Sequence, residues 1–411
     1  MILFLTKELL KKFSLRISLV VLNKFLGLLI LFVLTHLLST EEFGVYQFLL
    51  IVAMYASVIS NWGFLEHGLR KIRVQGNNPS STVSEIISLR LLLWFIGAMI
   101  SLLIFLLVDL SDFSIWSLAI ALLCTISLTF NIDYFYYANK KVFAPVVIHL
   151  ISQLLYLVFI CCFFFIDADL NLILVSLFLS RLMESFILLY KSKLRIQLVF
   201  SWQKLQKQFR GQWFLGLSNK TGYLLNTFPV MIIPFNDNFE NSGFYALAYK
   251  LISLLFIVFQ TINLIIAPNI VDLKSDKSKA ILLFKRINLV YVLFSVLVGG
   301  GIYLFGPYLV VLIFGDDYVL VGTYLVYFAV FFLPIVALKL SATVILNNLF
   351  LDNIYFLGSF YGLVIGLCCI PTGLYLFGII GGIISLSIAT SFSVIYFYIH
   401  IRKHCLSKHN E

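Results

Sequence analysis

The sequence predicts an all-α integral membrane protein with twelve transmembrane helices in two six-helix lobes related by a parallel internal repeat. Three observations carry that reading. The 411-residue chain is 61% hydrophobic and only 12% charged, where a soluble protein carries about 25% charged residues. Apolar stretches long enough to span a bilayer, about 20 residues each, recur along its whole length. Apart from five within the spans, the basic residues are confined to every second connection between those stretches, as the positive-inside rule requires.

The apolar runs place the spans at 15–38, 43–65, 86–108, 113–137, 142–166, 170–190, 213–235, 243–268, 287–313, 319–346, 354–377 and 380–400. The basic Met1–Lys12 stretch is followed by no small-residue cleavage site, so the first run reads as a retained helix. Residues 1–190 form an N-terminal lobe, 191–212 a linker, and 213–411 a C-terminal lobe with a short tail. In the linker Leu198, Trp202, Leu205 and Phe209 recur at helical spacing, with Lys204, Lys207 and Arg210 elsewhere on the wheel. That pattern predicts an amphipathic helix on the inner leaflet. Pro229, Pro234, Pro268, Pro334 and Pro371 are expected to bend or break their helices. Gly358, Gly362 and Gly366 form a small-residue stripe suited to close helix packing.

Charge sets the orientation. One set of connections holds Lys7, Lys11, Lys12 and Arg16; Arg70, Lys71, Arg73 and Arg90; Lys140 and Lys141. It continues with Lys191, Lys193, Arg195, Lys204, Lys207 and Arg210; Lys274, Lys277, Lys279, Lys285 and Arg286; and Arg402, Lys403 and Lys408. The opposite set is acidic, with Glu41, Glu42, Asp109, Asp112, Asp167, Asp169, Asp237, Glu240, Asp316 and Asp317. The rule predicts both termini in the cytoplasm. The net charge of +10 is then a matter of topology and implies no nucleic-acid partner.

The two halves are weakly similar. Asn23-Lys24 corresponds to Asn219-Lys220, and Phe43-Gly44-Val45-Tyr46 to Ser242-Gly243-Phe244-Tyr245, each at the start of the next span. Six spans per half make the repeat parallel, and such halves commonly face each other across a central site.

Charges within the membrane are the candidate functional groups. The span 213–235 carries Asn219, Lys220, Tyr223, Asn226 and Thr227 on one stripe. Lys24 beside Asn23 in the first span and Lys250 in the eighth extend this set. A cavity lined by Lys24, Lys220 and Lys250, with Asn23, Asn219 and Asn226, would be cationic and suit a large anion such as a phosphate joined to sugars. Snorkelling of the lysines to the nearer interface is the competing reading. Arg181 has Glu184 three residues on, which reads as a structural pair along one helix. Asp133 sits among Tyr134, Tyr136 and Tyr137, where an aromatic belt explains it as well as a proton site does.

The sequence lacks GxxxxGK[ST], HExxH, GxSxG and GxGxxG, so nucleotide hydrolysis and the corresponding hydrolase and dinucleotide chemistries have no motif to rest on. No metal or organic cofactor is expected, and the six cysteines show no disulfide or CxxC pattern.

Several short patterns then resemble the polysaccharide flippases of the Wzx type, in the multidrug/oligosaccharidyl-lipid/polysaccharide exporter superfamily. They are Leu37-Leu38-Ser39-Thr40-Glu41-Glu42-Phe43-Gly44-Val45-Tyr46, Asn61-Trp62-Gly63-Phe64, Ser242-Gly243-Phe244-Tyr245, Pro268 with the basic stretch after it, and Phe314-Gly315-Asp316-Asp317-Tyr318. The resemblance implies translocation, without covalent chemistry, of an undecaprenyl-pyrophosphate-linked O-antigen repeat unit across a bacterial inner membrane. It implies a lipid-linked oligosaccharide, membrane lipids and other polysaccharide assembly proteins as partners. It also implies coupling to a proton or sodium gradient, for which Asp133 and Glu184 are the acids within helices. A cation-coupled multidrug exporter of the same architecture is the alternative. A membrane glycosyltransferase or polymerase would want a large outer domain, and the outer connections here are a handful of residues each.

Overall fold

The structure, a computed structural model, describes residues 7–73, 78–107, 114–141, 143–165, 169–199, 203, 206, 213–272, 277–349 and 351–406. Every regular element among them is helical. In chain order they are α1 Lys7–Leu37, α2 Thr40–Ser60, α3 Phe64–Arg73, α4 Pro79–Leu107, α5 Ile115–Ile126, α6 Asp133–Ala138, α7 Phe143–Cys162 and α8 Leu170–Ser192. Then follow α9 Trp213–Asn236, α10 Phe239–Asp272, α11 Lys277–Phe314, α12 Val319–Tyr327, α13 Leu333–Asn348 and α14 Asp352–Leu406. Among the described residues, 10 helical runs are long and apolar enough to cross a membrane. The last of them, Asp352–Lys403, holds two predicted spans, because the backbone leaves the helix at Gly378 with φ 60 and ψ −153. With α9, each of the twelve predicted spans falls on helix.

The chain divides into two compact units, Met1–Gly216 and Leu217–Glu411. In each, the second span packs on the fourth: α2 on α5, and α10 on α12 and α13. The core of the first unit gathers Phe64, Ile86, Ile87, Tyr134 and Leu188; one in the second gathers Phe284, Ala342, Ile345, Leu346 and Phe397.

Acidic and hydroxyl residues cap α2, α5 and α8. Ser39 closes a capping box on α2, its backbone N–H donating to Glu42 Oε2 at 3.0 Å while Glu42 N–H donates to Ser39 Oγ at 3.2 Å. The helix therefore begins at Thr40, ahead of the predicted 43. Asp169 caps α8 by accepting from Leu172 N–H at 2.9 Å. Carboxylates here also complement the positive ends of the helix dipoles.

The prolines act less simply than expected. Pro229 and Pro234 both lie inside an uninterrupted α9. Pro234 has no N–H to donate to the Val230 carbonyl, and Ser242 Oγ donates to that carbonyl instead at 2.9 Å, tying α9 to α10. Before Pro334 the chain widens into a π turn over Phe328–Phe332 and then resumes as α13.

Two predicted spans are broken. The one at 43–65 ends at Ser60, and the chain turns at Asn61–Gly63, where Gly63 has φ 77, before α3. The one at 113–137 passes from α5 through a 3-10 turn, Ser127–Phe130, and an extended Asn131 into α6.

The linker helix is corrected at its start. Residues 194–199 have no regular secondary structure, and Leu198 is not on a helix. The segment is held on α4 by Gln197 N–H donating to Ser84 Oγ at 3.0 Å and Val199 N–H donating to Ser88 Oγ at 2.8 Å. Two serines a turn apart on α4 capture alternate amides of this irregular segment. Trp202, Leu205 and Phe209 lie outside the described residues.

The glycine stripe on α14 packs as expected. A Cβ at Gly358 would meet Phe397 and Tyr396, and at Gly362 it would meet Ser393 and, at 3.0 Å, the Ala389 carbonyl. The two arms of α14 thus approach at backbone distance.

Candidate functional site

Arg90, which charge counting assigns to a basic connection, is a buried cation. It is 4% exposed, one turn beyond the buried Ile86 and Ile87 on α4. Both broken spans meet it. Nη2 donates to Asn61 Oδ1 at 2.6 Å, and Nη1 donates to the Asn131 carbonyl at 2.6 Å. The guanidinium carbon lies 5.7 Å from the Phe64 ring centroid and 5.6 Å from that of Tyr134. A helix break in an apolar environment strands backbone carbonyls, and a planar, permanently charged fork satisfies them. The signal in the sequence was the pair of polar interruptions, Asn61 and Asn131, flanking one arginine.

A second polar cluster joins α6, α7 and α8. His149 Nδ1 donates to Glu184 Oε2 at 3.2 Å, and Gln153 Nε2 donates to His149 Nε2 at 3.1 Å. A neutral imidazole satisfies both contacts, one nitrogen donating and the other accepting. Glu184 is 7% exposed, whereas the His149 side chain is 49% exposed, so the buried carboxylate is linked outward through the ring. Asp133 lies within electrostatic reach of Glu184, His149 and Arg90. Its backbone N–H donates to Asn131 Oδ1 at 2.9 Å, and its own buried Oδ1 has no partner.

The expected pair between Arg181 and Glu184 is not formed. Glu184 is bonded to His149 across the α7–α8 contact, while Arg181 acts electrostatically on Tyr46, Tyr156 and Cys124. Tyr46 and Tyr156 share a hydrogen bond of 3.1 Å between hydroxyls. Arg181 Nη1 is buried without a hydrogen-bond partner. The i, i+3 spacing permits a pair, but a nearer partner on a neighbouring helix removes the carboxylate from it. The structure therefore brings Asp133 and Glu184 into one cluster and leaves Arg181 beside a tyrosine pair.

The amide and lysine candidates are placed as follows. Asn23 is 7% exposed, with Nδ2 donating to the Leu19 carbonyl at 3.1 Å and a buried Oδ1 without a partner. Lys24 next to it is exposed, between exposed Leu22 and Phe25. In the second unit Lys220 on α9 and Lys250 on α10 are half-buried, and each interacts with other residues of the chain. Asn226 is half-buried two turns along α9 from Lys220. The side chain of Asn219 lies outside the described residues. Asn263, further along α10 from Lys250, serves packing. Its Nδ2 donates to the Leu340 carbonyl at 3.1 Å and its Oδ1 accepts from Tyr291 at 2.6 Å.

Comparison with known proteins agrees with this architecture. The chain is similar over 93% of its length to 95% of an inward-facing multidrug resistance MATE family transporter of the MOP superfamily, with TM-score 0.71 and 12% identity. It is similar over 95% of its length to 87% of the lipid II flippase MurJ in an inward closed conformation, with TM-score 0.72 and 12% identity. A MATE transporter of Vibrio cholerae, VcmN, matches with TM-score 0.53 and 17% identity over 96% of this chain and 93% of that one. These likenesses establish the fold. No curated protein matches the sequence. The family described as polysaccharide biosynthesis protein matches residues 9–274, more than half of the chain, and this protein, a multi-pass membrane protein that shares the fold of those structures, belongs to that family.

Proposed function

We propose that this protein is a flippase that moves a polyprenyl-pyrophosphate-linked saccharide repeat unit, of the O-antigen or a related polysaccharide, from the cytoplasmic to the periplasmic leaflet of the inner membrane. The observation that carries the reading is the polysaccharide biosynthesis family match on a chain with a transporter fold. A polysaccharide-pathway protein built almost wholly of spans has lipid-linked intermediates as its natural cargo. The work is translocation by alternating access and involves no bond making.

The substrate's phosphates are met by Lys24, Lys220 and Lys250, with Asn23, Asn219 and Asn226 as amide partners. Lysine serves phosphate as a compact charge with three donors. The half-buried state of Lys220 and Lys250 supports their use over snorkelling, since a lysine free to reach the interface leaves its head group in water. A proton or sodium gradient drives the cycle through Asp133 and Glu184, the acids gathered on α6 and α8. Membrane lipids and polysaccharide assembly proteins are the partners, and both termini lie in the cytoplasm. Of the acids on the outer connections, Glu42 and Asp169 serve helix caps.

The test is complementation of a null strain with wild type and variants at matched expression. Wild type restores surface polysaccharide, and the null accumulates lipid-linked repeat units on the inner leaflet. A null with normal surface polysaccharide but new sensitivity to cationic drugs would replace this reading with drug export.

A further inference from the structure

Away from the lysines assigned to transport, the second unit holds a cavity of 630 Å³ between the first part of α11 and the end of α14. Its lining includes the exposed Lys285 and Arg402 and the half-buried Asn288 and Tyr398. Both cations are exposed, and neither meets an acid among the described residues. The half-buried pair is organised. Asn288 Oδ1 accepts from Tyr398 Oη at 2.8 Å and from Ser341 Oγ, and the Tyr398 ring lies 5.0 Å from the buried Phe284. With Oδ1 accepting from Tyr398, the Asn288 amide nitrogen supplies the donors of that side chain. The cavity therefore offers donors and positive charge: an ammonium, a guanidinium fork and a carboxamide N–H.

The flanks are equally one-sided. Leu289, Val290 and Leu293 on α11, and Ile395 and Ile399 on α14, are exposed apolar side chains next to the cavity. A recess that carries two cations on an otherwise largely apolar lining, bordered by exposed apolar side chains on membrane helices, has the profile of a lipid site: phosphate at the cations, chains along the apolar walls and flanks. Its two cations come from basic connections, which puts it at the inner leaflet under the positive-inside rule.

We propose that this recess binds the phosphate head group of an anionic phospholipid of the inner leaflet, as a site separate from the transport pathway. The guanidinium takes two phosphate oxygens side by side, Lys285 adds a point charge, and Asn288 donates to the remaining oxygen. The volume fits a glycerophosphate head group within the usual range for small-ligand pockets. A basic pocket between helices at the cytoplasmic side is a known lipid-recognition device. A bound lipid would hold the start of α11 against the end of α14.

The test is native mass spectrometry of the full chain released from nanodiscs, titrated with phosphatidylglycerol, phosphatidylcholine, inorganic phosphate and a polyprenyl diphosphate. Wild type retains one phosphatidylglycerol in preference to phosphatidylcholine. Lys285→Ala with Arg402→Ala weakens that retention about 30-fold, since each juxtamembrane charge contributes on the order of 1 kcal/mol. Arg402→Lys, which keeps the charge and folds with least disturbance, loses only part of it. Equal retention of both phospholipids, unchanged retention in the double variant, or displacement of phosphatidylglycerol by inorganic phosphate would overturn the proposal. Preferential capture of the polyprenyl diphosphate at the same residues would overturn it in favour of a substrate-docking site. Lys220→Ala serves as the control that separates the two sites, and it leaves phosphatidylglycerol retention unchanged.

Discussion

Arg90 and Asn61 meet at 2.6 Å although 29 residues separate them, and the contact joins α4 to the turn between α2 and α3. The same guanidinium takes the Asn131 carbonyl at 2.6 Å. One side chain thus secures both interrupted spans of the first unit. Replacing Arg90 by Ala strands these two neutral acceptors in a buried setting and is expected to cost about 1–3 kcal/mol for each. Lysine cannot reproduce the fork, so Arg90→Lys recovers less than half of the loss. Thermal unfolding in detergent measures both, and a wild-type midpoint for Arg90→Ala would show that the breaks hold themselves.

Transport provides the second prediction. Lys220→Ala, at equal expression, is expected to leave repeat units on the inner leaflet and deplete surface polysaccharide, and Lys24→Ala to do so more weakly because Lys24 is exposed. Normal surface polysaccharide in both variants would count against a cationic substrate site.

For coupling, the residues to change are Asp133 and Glu184. Asp133→Asn keeps the shape and removes the charge, and Glu184→Gln keeps a partner for His149. In proteoliposomes both are expected to abolish stimulation of flipping by an imposed proton or sodium gradient while leaving the slow downhill rate. Stimulation that persists in both variants would sink the assignment.

Two glycines on α14 separate backbone strain from crowding. Gly378 sits at φ 60 and ψ −153, and a Cβ added there would meet nothing within 4 Å, so Gly378→Ala costs only the backbone term, about 1–3 kcal/mol. Gly362 is helical but faces Ser393 and the Ala389 carbonyl. Gly362→Leu therefore acts through overpacking, typically about 1–3 kcal/mol, and shrinking Ser393 to Gly is expected to restore part of the loss. The same change at Ser393 leaves Gly378→Ala unrescued. Unfolding midpoints of the single and double variants check the distinction.

Ser39→Ala removes the α2 cap and is expected to cost about 1 kcal/mol. Glu42→Gln, which keeps the reciprocal contact to Ser39 N–H, costs less. Equal midpoints for the two would show that the box adds nothing beyond helix start preference.

The spans were legible because membrane solvation acts on each helix separately: an apolar run of sufficient length must satisfy its own backbone bonds, wherever it later packs. The α14 glycine stripe was legible for a related reason, since small residues at helical spacing matter only through backbone approach. Arg90 was misread because charge counting treats every arginine near a span end as solvated, and its acceptors at Asn61 and Asn131 lie 29 and 41 residues away. Leu198 fitted a helical period, yet the serines that capture its neighbours' amides belong to α4.

By itself the sequence determined the all-helical membrane class, the number of spans, the division into halves and the charge asymmetry between the two sets of connections. Each follows from local composition weighed against lipid or water. Tertiary structure alone decided which polar groups pair inside the bundle: Glu184 with His149 rather than Arg181, Ser242 with the carbonyl that Pro234 frees, Arg90 with two helix breaks. Periodicity names the face a residue occupies, but in a low-dielectric interior the partner is whichever complementary group a neighbouring helix brings nearest.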